Sequence, residues 1–140
     1  MPSMIRLNTA NGSGSTNTAI RRFSTTVLSQ GTDITYADSA TLGATFTINT
    51  NGVYSISYTD AFSGSSRVGL SLNSSQLTTA ISSITTADRL CAELTPAANN
   101  EATIAWTGYL ASGGVVRPHS DGGANAGSLV LTQFTIVRIA

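Results

Sequence analysis

Lysine is absent from this 140-residue chain: all seven basic residues are Arg, and seven acids balance them to a formal net charge of zero. Charged residues make up only 10% of the sequence, against roughly 25% in an average soluble domain. Beyond Arg21 and Arg22 there is no basic cluster, so the electrostatic footprint that nucleic acid demands is missing and nucleic acid is not an expected partner. There is one cysteine, Cys91, and one histidine, His119. An intramolecular disulfide and the usual all-Cys/His zinc sites are therefore excluded, and neither metal nor cofactor is expected. No apolar run approaches the ~20 residues of a membrane-spanning helix, and Met1-Pro2-Ser3-Met4 lacks the apolar stretch of a secretory signal. The expectation is a soluble product that meets no membrane.

What the sequence has in quantity is hydroxyl. Ser and Thr occupy 40 of the 140 positions. Net charge and scattered Lys normally keep proteins apart in solution, so a weakly charged, Lys-free surface suits a chain packed against copies of itself or against partners. The length supports one domain with a real core.

The first 22 residues, MPSMIRLNTANGSGSTNTAIRR, differ from the rest. Asn, Gly, Ser and Thr fill the centre, and Arg6, Arg21 and Arg22 are opposed by no acid before Asp33. Such a composition does not bury enough apolar surface to fold alone. It reads as an extended N-terminal arm over 1–22 that orders on a partner through Met4, Ile5, Arg6, Leu7, Arg21 and Arg22, ahead of a domain over 23–140. By formal charge the arm carries +3, and the remainder, four Arg against seven acids, carries −3.

From residue 23 the dominant signal is alternation of period two, in segments bounded by Gly, Asn, Asp and Ser. Strands are expected near 23–30, 34–36, 44–50, 53–60, 67–73, 89–94, 101–111 and 129–139. Tyr54, Ile56 and Tyr58 share one side of their strand with Ser55 and Ser57 on the other; Val68, Leu70 and Leu72 fall together, as do Ile104 with Trp106 and Phe134 with Ile136. Asn51-Gly52 reads as a type I′ hairpin turn. Gly113-Gly114 and Gly122-Gly123 mark further turns, and β-branched residues limit any helix within 76–88 to a short one. The fold class is all-β: an antiparallel β-sandwich, a jelly roll of about eight strands.

Little here points to catalysis. Ser120 or Ser112, His119 and Asp121 assemble a Ser-His-Asp set only on paper, because consecutive turn residues do not hold nucleophile, base and orienter in line. No enzyme activity is expected. His119 reads instead as a loop residue that bonds a neighbour or faces an interface, and Arg117 and His119 are the candidates for copy-to-copy contact. A calcium site between Asp60 and Asp121 is the alternative use of the few carboxylates, none of which are paired by local spacing. Cys91 is expected as a small buried hydrophobe, and Trp106 as a core residue beside Ile104, or failing that an interface anchor.

The segments NTNGVYSISYTDAF, WTGYLASGGVVRPH and LVLTQFTIVRI resemble, in order and spacing, the jelly roll of tumour-necrosis-factor-like domains and complement-type globular heads. The matching positions are Gly52, Tyr54 and Ile56; Tyr109, Leu110 and Gly113, which turn into a penultimate strand; and Phe134 with Ile136. The resemblance covers roughly 34–140, without the paired cysteines and collagen-like stalk of secreted members, and it implies trimers, although a dimer fits the sequence equally. The Ser/Thr/Gly/Asn-rich, Lys-free composition is also similar to that of jelly-roll structural proteins of tailed bacteriophages. That likeness implies a virion protein: a cement or decoration protein on the outer surface of the capsid, with the major capsid protein and its own copies as partners. The alternative is the receptor-binding tip of a tail fibre. A tip follows a long shaft, whereas this chain offers a short arm, which favours the capsid role.

Overall fold

The computed structural model describes residues 1–126 and 129–140. Its strands are β1 (Met4–Ser13), β2 (Arg21–Gln30), β3 (Ile34–Ser39), β4 (Gly43–Ile48), β5 (Gly52–Ala61), β6 (Arg67–Leu72), β7 (Arg89–Leu94), β8 (Glu101–Leu110), β9 (Val115–Pro118) and β10 (Gln133–Arg138). All pairings are antiparallel, in one sheet ordered β2-β1-β10-β5-β8 and a second ordered β3-β4-β9-β6-β7. The all-β jelly-roll class expected from the sequence is the observed one.

Alternation builds the space between the sheets. Successive side chains of a strand point to opposite faces, so one residue in two reaches the core. Ile5, Leu7, Phe23, Tyr54, Ile56, Tyr58, Phe134 and Ile136 enter from the first sheet, and Phe46, Ile48, Val68, Leu70 and Val116 from the second. Phe46 and Phe134 stack across the two layers with ring centroids 4.3 Å apart. Trp106 packs against this core only in part, on the edge strand β8, where its ring lies over Gly108. Cys91 is half-buried, and burial pushes its thiol up to about 11, which leaves it protonated and unreactive.

Four expectations need correction. Among the described residues ten strands form rather than eight; the additional ones are β1 and the four-residue β9, which lies between β4 and β6 where the Gly113 turn leads into it. The first 22 residues are not an arm set apart from the sandwich: β1 is held between β2 and β10 in the middle of its sheet. Its alternating Ile5 and Leu7 need a core supplied by other strands, which is why composition alone reads as unfolded. Asn51-Gly52 is no hairpin, because β4 and β5 belong to different sheets and the chain crosses between layers there. Neither residue has positive φ; Gly52 is required because a Cβ would stand 2.3 Å from the Ala140 carbonyl oxygen. The expected last strand, 129–139, begins late: Leu129–Leu131 form a 3-10 turn and the strand runs over Gln133–Arg138, whereas the short 3-10 turn at Thr86–Asp88 agrees with the limit set on any helix within 76–88.

Candidate interaction surfaces

The face of the first sheet that points away from the core is open, and the registers set its residues in rows. Ile139, Val53 and Tyr109 form one row, with the Ile139 amide donating to the Val53 carbonyl at 2.8 Å and Val53 opposite Tyr109. Met4, Val137, Ser55 and Thr107 form the next, and Arg6, Thr135, Ser57 and Ala105 the third. Tyr109 is 63% and Ile139 56% exposed. Arg6 is the single charged side chain in these rows, and its Nη2 donates to Gln133 Oε1 at 3.3 Å. Hydroxyls on the face bond each other: Thr59 with Thr103 at 2.7 Å, and Thr107 to Ser55 at 3.3 Å. Covering such a face strands few polar groups, so its desolvation cost is low.

The residues singled out in the sequence scatter. Of the six expected to touch a partner, Met4 and Arg6 lie on this open face, but Ile5 and Leu7 are buried in the core. Arg21 is also lost to the interior, 1% exposed, where its Nε and Nη2 meet the two oxygens of Asp60 at 2.7 and 3.0 Å. Tyr58, Thr132 and the Ala61 amide complete the ring of donors around Asp60, and the Arg21 guanidinium lies over Phe62. Burial lowers the Arg21 pKa, but the charge and hydrogen bonds of Asp60 reverse this and raise it; burial and then Asp60 push the Tyr58 phenol well up. Arg22 pairs with Asp38 through two bonds of 3.1 and 2.9 Å. The apolar row of Ile139, Val53 and Tyr109 was not singled out, although alternation in each strand taken alone already turns Val53 and Tyr109 outward.

On the second sheet the outward face is partly covered. Residues 73–88 cross over β6, with Ile81 against Gly69 and with His119 beneath them. His119, expected at a copy-to-copy contact, is fully buried, so that expectation is corrected. Its Nε2 faces the Thr79 carbonyl at 2.7 Å and its Nδ1 the Ser71 hydroxyl at 2.9 Å. A carbonyl only accepts, so Nε2 carries the proton and Nδ1 accepts from Ser71. Neither ring nitrogen is turned to Ser120 or Asp121: Ser120 donates to the Ala19 carbonyl, and Asp121 accepts from Arg67 and Ser82. With Asp60 enclosed by Arg21 and Asp121 held by Arg67, these two carboxylates do not share a site. Between residues 73–88 and the β3-β4 hairpin lies a cleft of about 220 Å³ lined by Asn17, Asp38, Leu42, Thr45, Leu77 and Arg117.

No family model matches the chain, and no curated protein sequence does. Among solved structures the chain is similar to murine APRIL at pH 8.0, with a TM-score of 0.67 and 14% identity over 99% of this chain and 100% of that one. It is likewise similar to GITRL from bushbaby, with a TM-score of 0.59 and 15% identity over 100% of this chain and 96% of that one. Both are tumour-necrosis-factor-family jelly-roll ligands, and at this identity the likeness shows the fold alone.

Proposed function

We propose that the chain is a non-enzymatic, self-associating structural module that decorates the outside of a viral capsid. The observation that carries this reading is the open face of the first sheet, where a row of Ile139, Val53 and Tyr109 adjoins rows that mix small hydroxyl and apolar side chains and hold one charge. A second copy seated there removes apolar area from water at about 25 cal/mol per Å² while few polar groups lose partners. Three copies are the number implied by the sequence resemblance. Many symmetry-related modules then reinforce a shell through modest individual contacts, because multivalency multiplies them.

Two measurements test the two halves of the reading. Sedimentation equilibrium of the purified chain is expected to give about three times its 14.4 kDa mass; a monomer at tens of micromolar overturns self-association. Mixed with capsids lacking it, the protein is expected to bind at saturable occupancy and to raise their resistance to heat. Absence of binding overturns the capsid role.

A second reading, the receptor-binding tip of a tail fibre, draws support from the cleft at Arg117. It is separated from the first by adsorption of the isolated protein to host cells, which a decoration protein does not show.

A further inference from the structure

Of the seven arginines, Arg21, Arg22, Arg67 and Arg138 face carboxylates. Arg6 lies on the open face of the first sheet, and Arg89 gives its donors to the carbonyls of Ile81, Ser82 and Ile84. Arg117 is only partly satisfied. Its Nη1 donates to the Ser74 carbonyl at 3.2 Å, its Nε is buried without an acceptor, and among the described residues no carboxylate pairs with it. Burial lowers its pKa, the cost of holding a guanidinium away from water with no anion beside it.

Arg117 stands on β9 beside Thr45 of β4, and together they line the cleft of about 220 Å³. Leu77 lines it from the segment that covers β6, and Leu42 from the β3-β4 hairpin. The volume is below the ~300–1,000 Å³ of sites for drug-sized ligands and suits a single ring. Asp38 lines it too, but both its oxygens are engaged by Arg22, so this pair is neutral and Arg117 leaves the cleft one positive charge in excess. Asn17 uses its Nδ2 on the Leu42 carbonyl, which leaves Oδ1 as an acceptor, and the Thr45 hydroxyl donates to Ala37 while its oxygen can accept.

A guanidinium with no carboxylate partner, two oxygen acceptors and an aliphatic wall match one class of small molecule. We propose that this cleft binds an acidic sugar, with its carboxylate on Arg117, ring hydroxyls on Asn17 and Thr45, and its C–H face against Leu42 and Leu77. Charge-assisted bonds from Arg to a carboxylate are roughly twice as strong as neutral ones, so the carboxylate supplies selectivity over a neutral sugar. The cleft lies on the sheet opposite the open face and stays accessible when copies associate. The site does not depend on self-association or on capsid binding, so either can fail without the other.

The test is an amide-resolved NMR titration of the full chain with glucuronic acid, glucose and acetate. The expected result is saturable shifts at Asn17, Leu42, Thr45 and Arg117 with glucuronic acid in the millimolar range, and binding of glucose and of acetate each at least ~10-fold weaker. Arg117→Gln is expected to weaken glucuronic acid by at least ~10-fold. Because Arg117 also holds Ser74, a second variant, Ala37→Phe, fills the cleft from the exposed side of β3 and is expected to block binding while the spectrum stays dispersed. Absence of saturable shifts overturns the proposal, as do unchanged binding in both variants, glucose equal to glucuronic acid, or acetate reproducing the full effect.

Discussion

The Nε2 of His119 and the carbonyl oxygen of Thr79 lie 2.7 Å apart, tying the end of β9, which His119 directly follows, to a segment forty positions earlier in the chain. Burial, opposed by the Thr79 bond and aided by the nearby Arg117 charge, holds the imidazole below its ordinary 6.5. The folded state therefore keeps His119 neutral where the unfolded chain has begun to take up a proton. Stability from this group is complete above pH 6.5 and falls as the pH drops from 6.5 toward the lowered folded value. Urea midpoints at pH 7.5, 6.0 and 5.0 should decline in that order, and His119→Gln should flatten the decline. Asp33, which Thr50 and Ser3 hold below its ordinary 3.8, acts only at lower pH and does not blur the window. A wild-type midpoint constant from pH 7.5 to 5.0 would contradict the arrangement.

The Arg21–Asp60 pair is expected to behave as a unit. Asp60→Asn leaves a guanidinium 1% exposed without its counter-charge, and removal of one partner of a buried pair costs about 3–5 kcal/mol. Arg21→Met leaves the carboxylate with its other donors from Tyr58, Thr132 and Ala61. The double variant should lose less than the sum of the singles, since neither orphan charge remains. Denaturant unfolding of all four proteins checks this, and strict additivity would show that the pair is not coupled.

Charge placed on the open face should separate association from folding. Tyr109 is 63% exposed on the edge strand β8, on the face turned away from the core. Tyr109→Glu puts a carboxylate in the row with Val53 and Ile139, and a second copy then has to desolvate it. The expected outcome is a fall in sedimenting mass with the monomer fold intact by near-ultraviolet circular dichroism. An unchanged mass would place the contact elsewhere.

Those outcomes rest on features of unequal visibility in the sequence. Strands with two or more large inward side chains, such as Tyr54, Ile56 and Tyr58 or Phe134 and Ile136, announce themselves by alternation, and with them the sandwich. The first strand is the exception: it too has two such side chains, Ile5 and Leu7, but Asn8, Thr9, Asn11, Gly12 and Ser13 follow them, and turn residues outweigh two aliphatics in a composition count. Positive φ at Thr9 and Gly12, with register shifts beside them, shows how β1 accommodates these residues as irregularities of a strand. Asn51-Gly52 misleads for a different reason: local turn chemistry is blind to whether the next strand joins the same sheet. The fates of Arg21 and His119 were likewise hidden, since a polar residue is buried only when distant partners, Asp60 and Thr79, satisfy it. Outward positions on β5, β8 and β10 could be read strand by strand. Their assembly into one low-charge face depends on the order β1-β10-β5-β8, which no local pattern encodes.

The central place of β1 makes the sharpest prediction about the N-terminal residues. An arm that orders on a partner is dispensable to the fold, whereas a strand between β2 and β10 is not. Leu7 is fully buried, opposite Phe134 of β10, so Leu7→Ala should cost about 2–5 kcal/mol, a large share of the stability of a domain this size. Deleting residues 1–13 should go further. The deletion bares the edges of β2 and β10 and opens the core above Phe23 and Phe134, and the remaining chain is expected to lose amide dispersion and aggregate. Arg6→Gln, whose side chain points away from the core, should leave the unfolding midpoint within about 0.5 kcal/mol of the parent. If the chain lacking 1–13 keeps a dispersed spectrum and a cooperative transition, β1 contributes no more than an arm would.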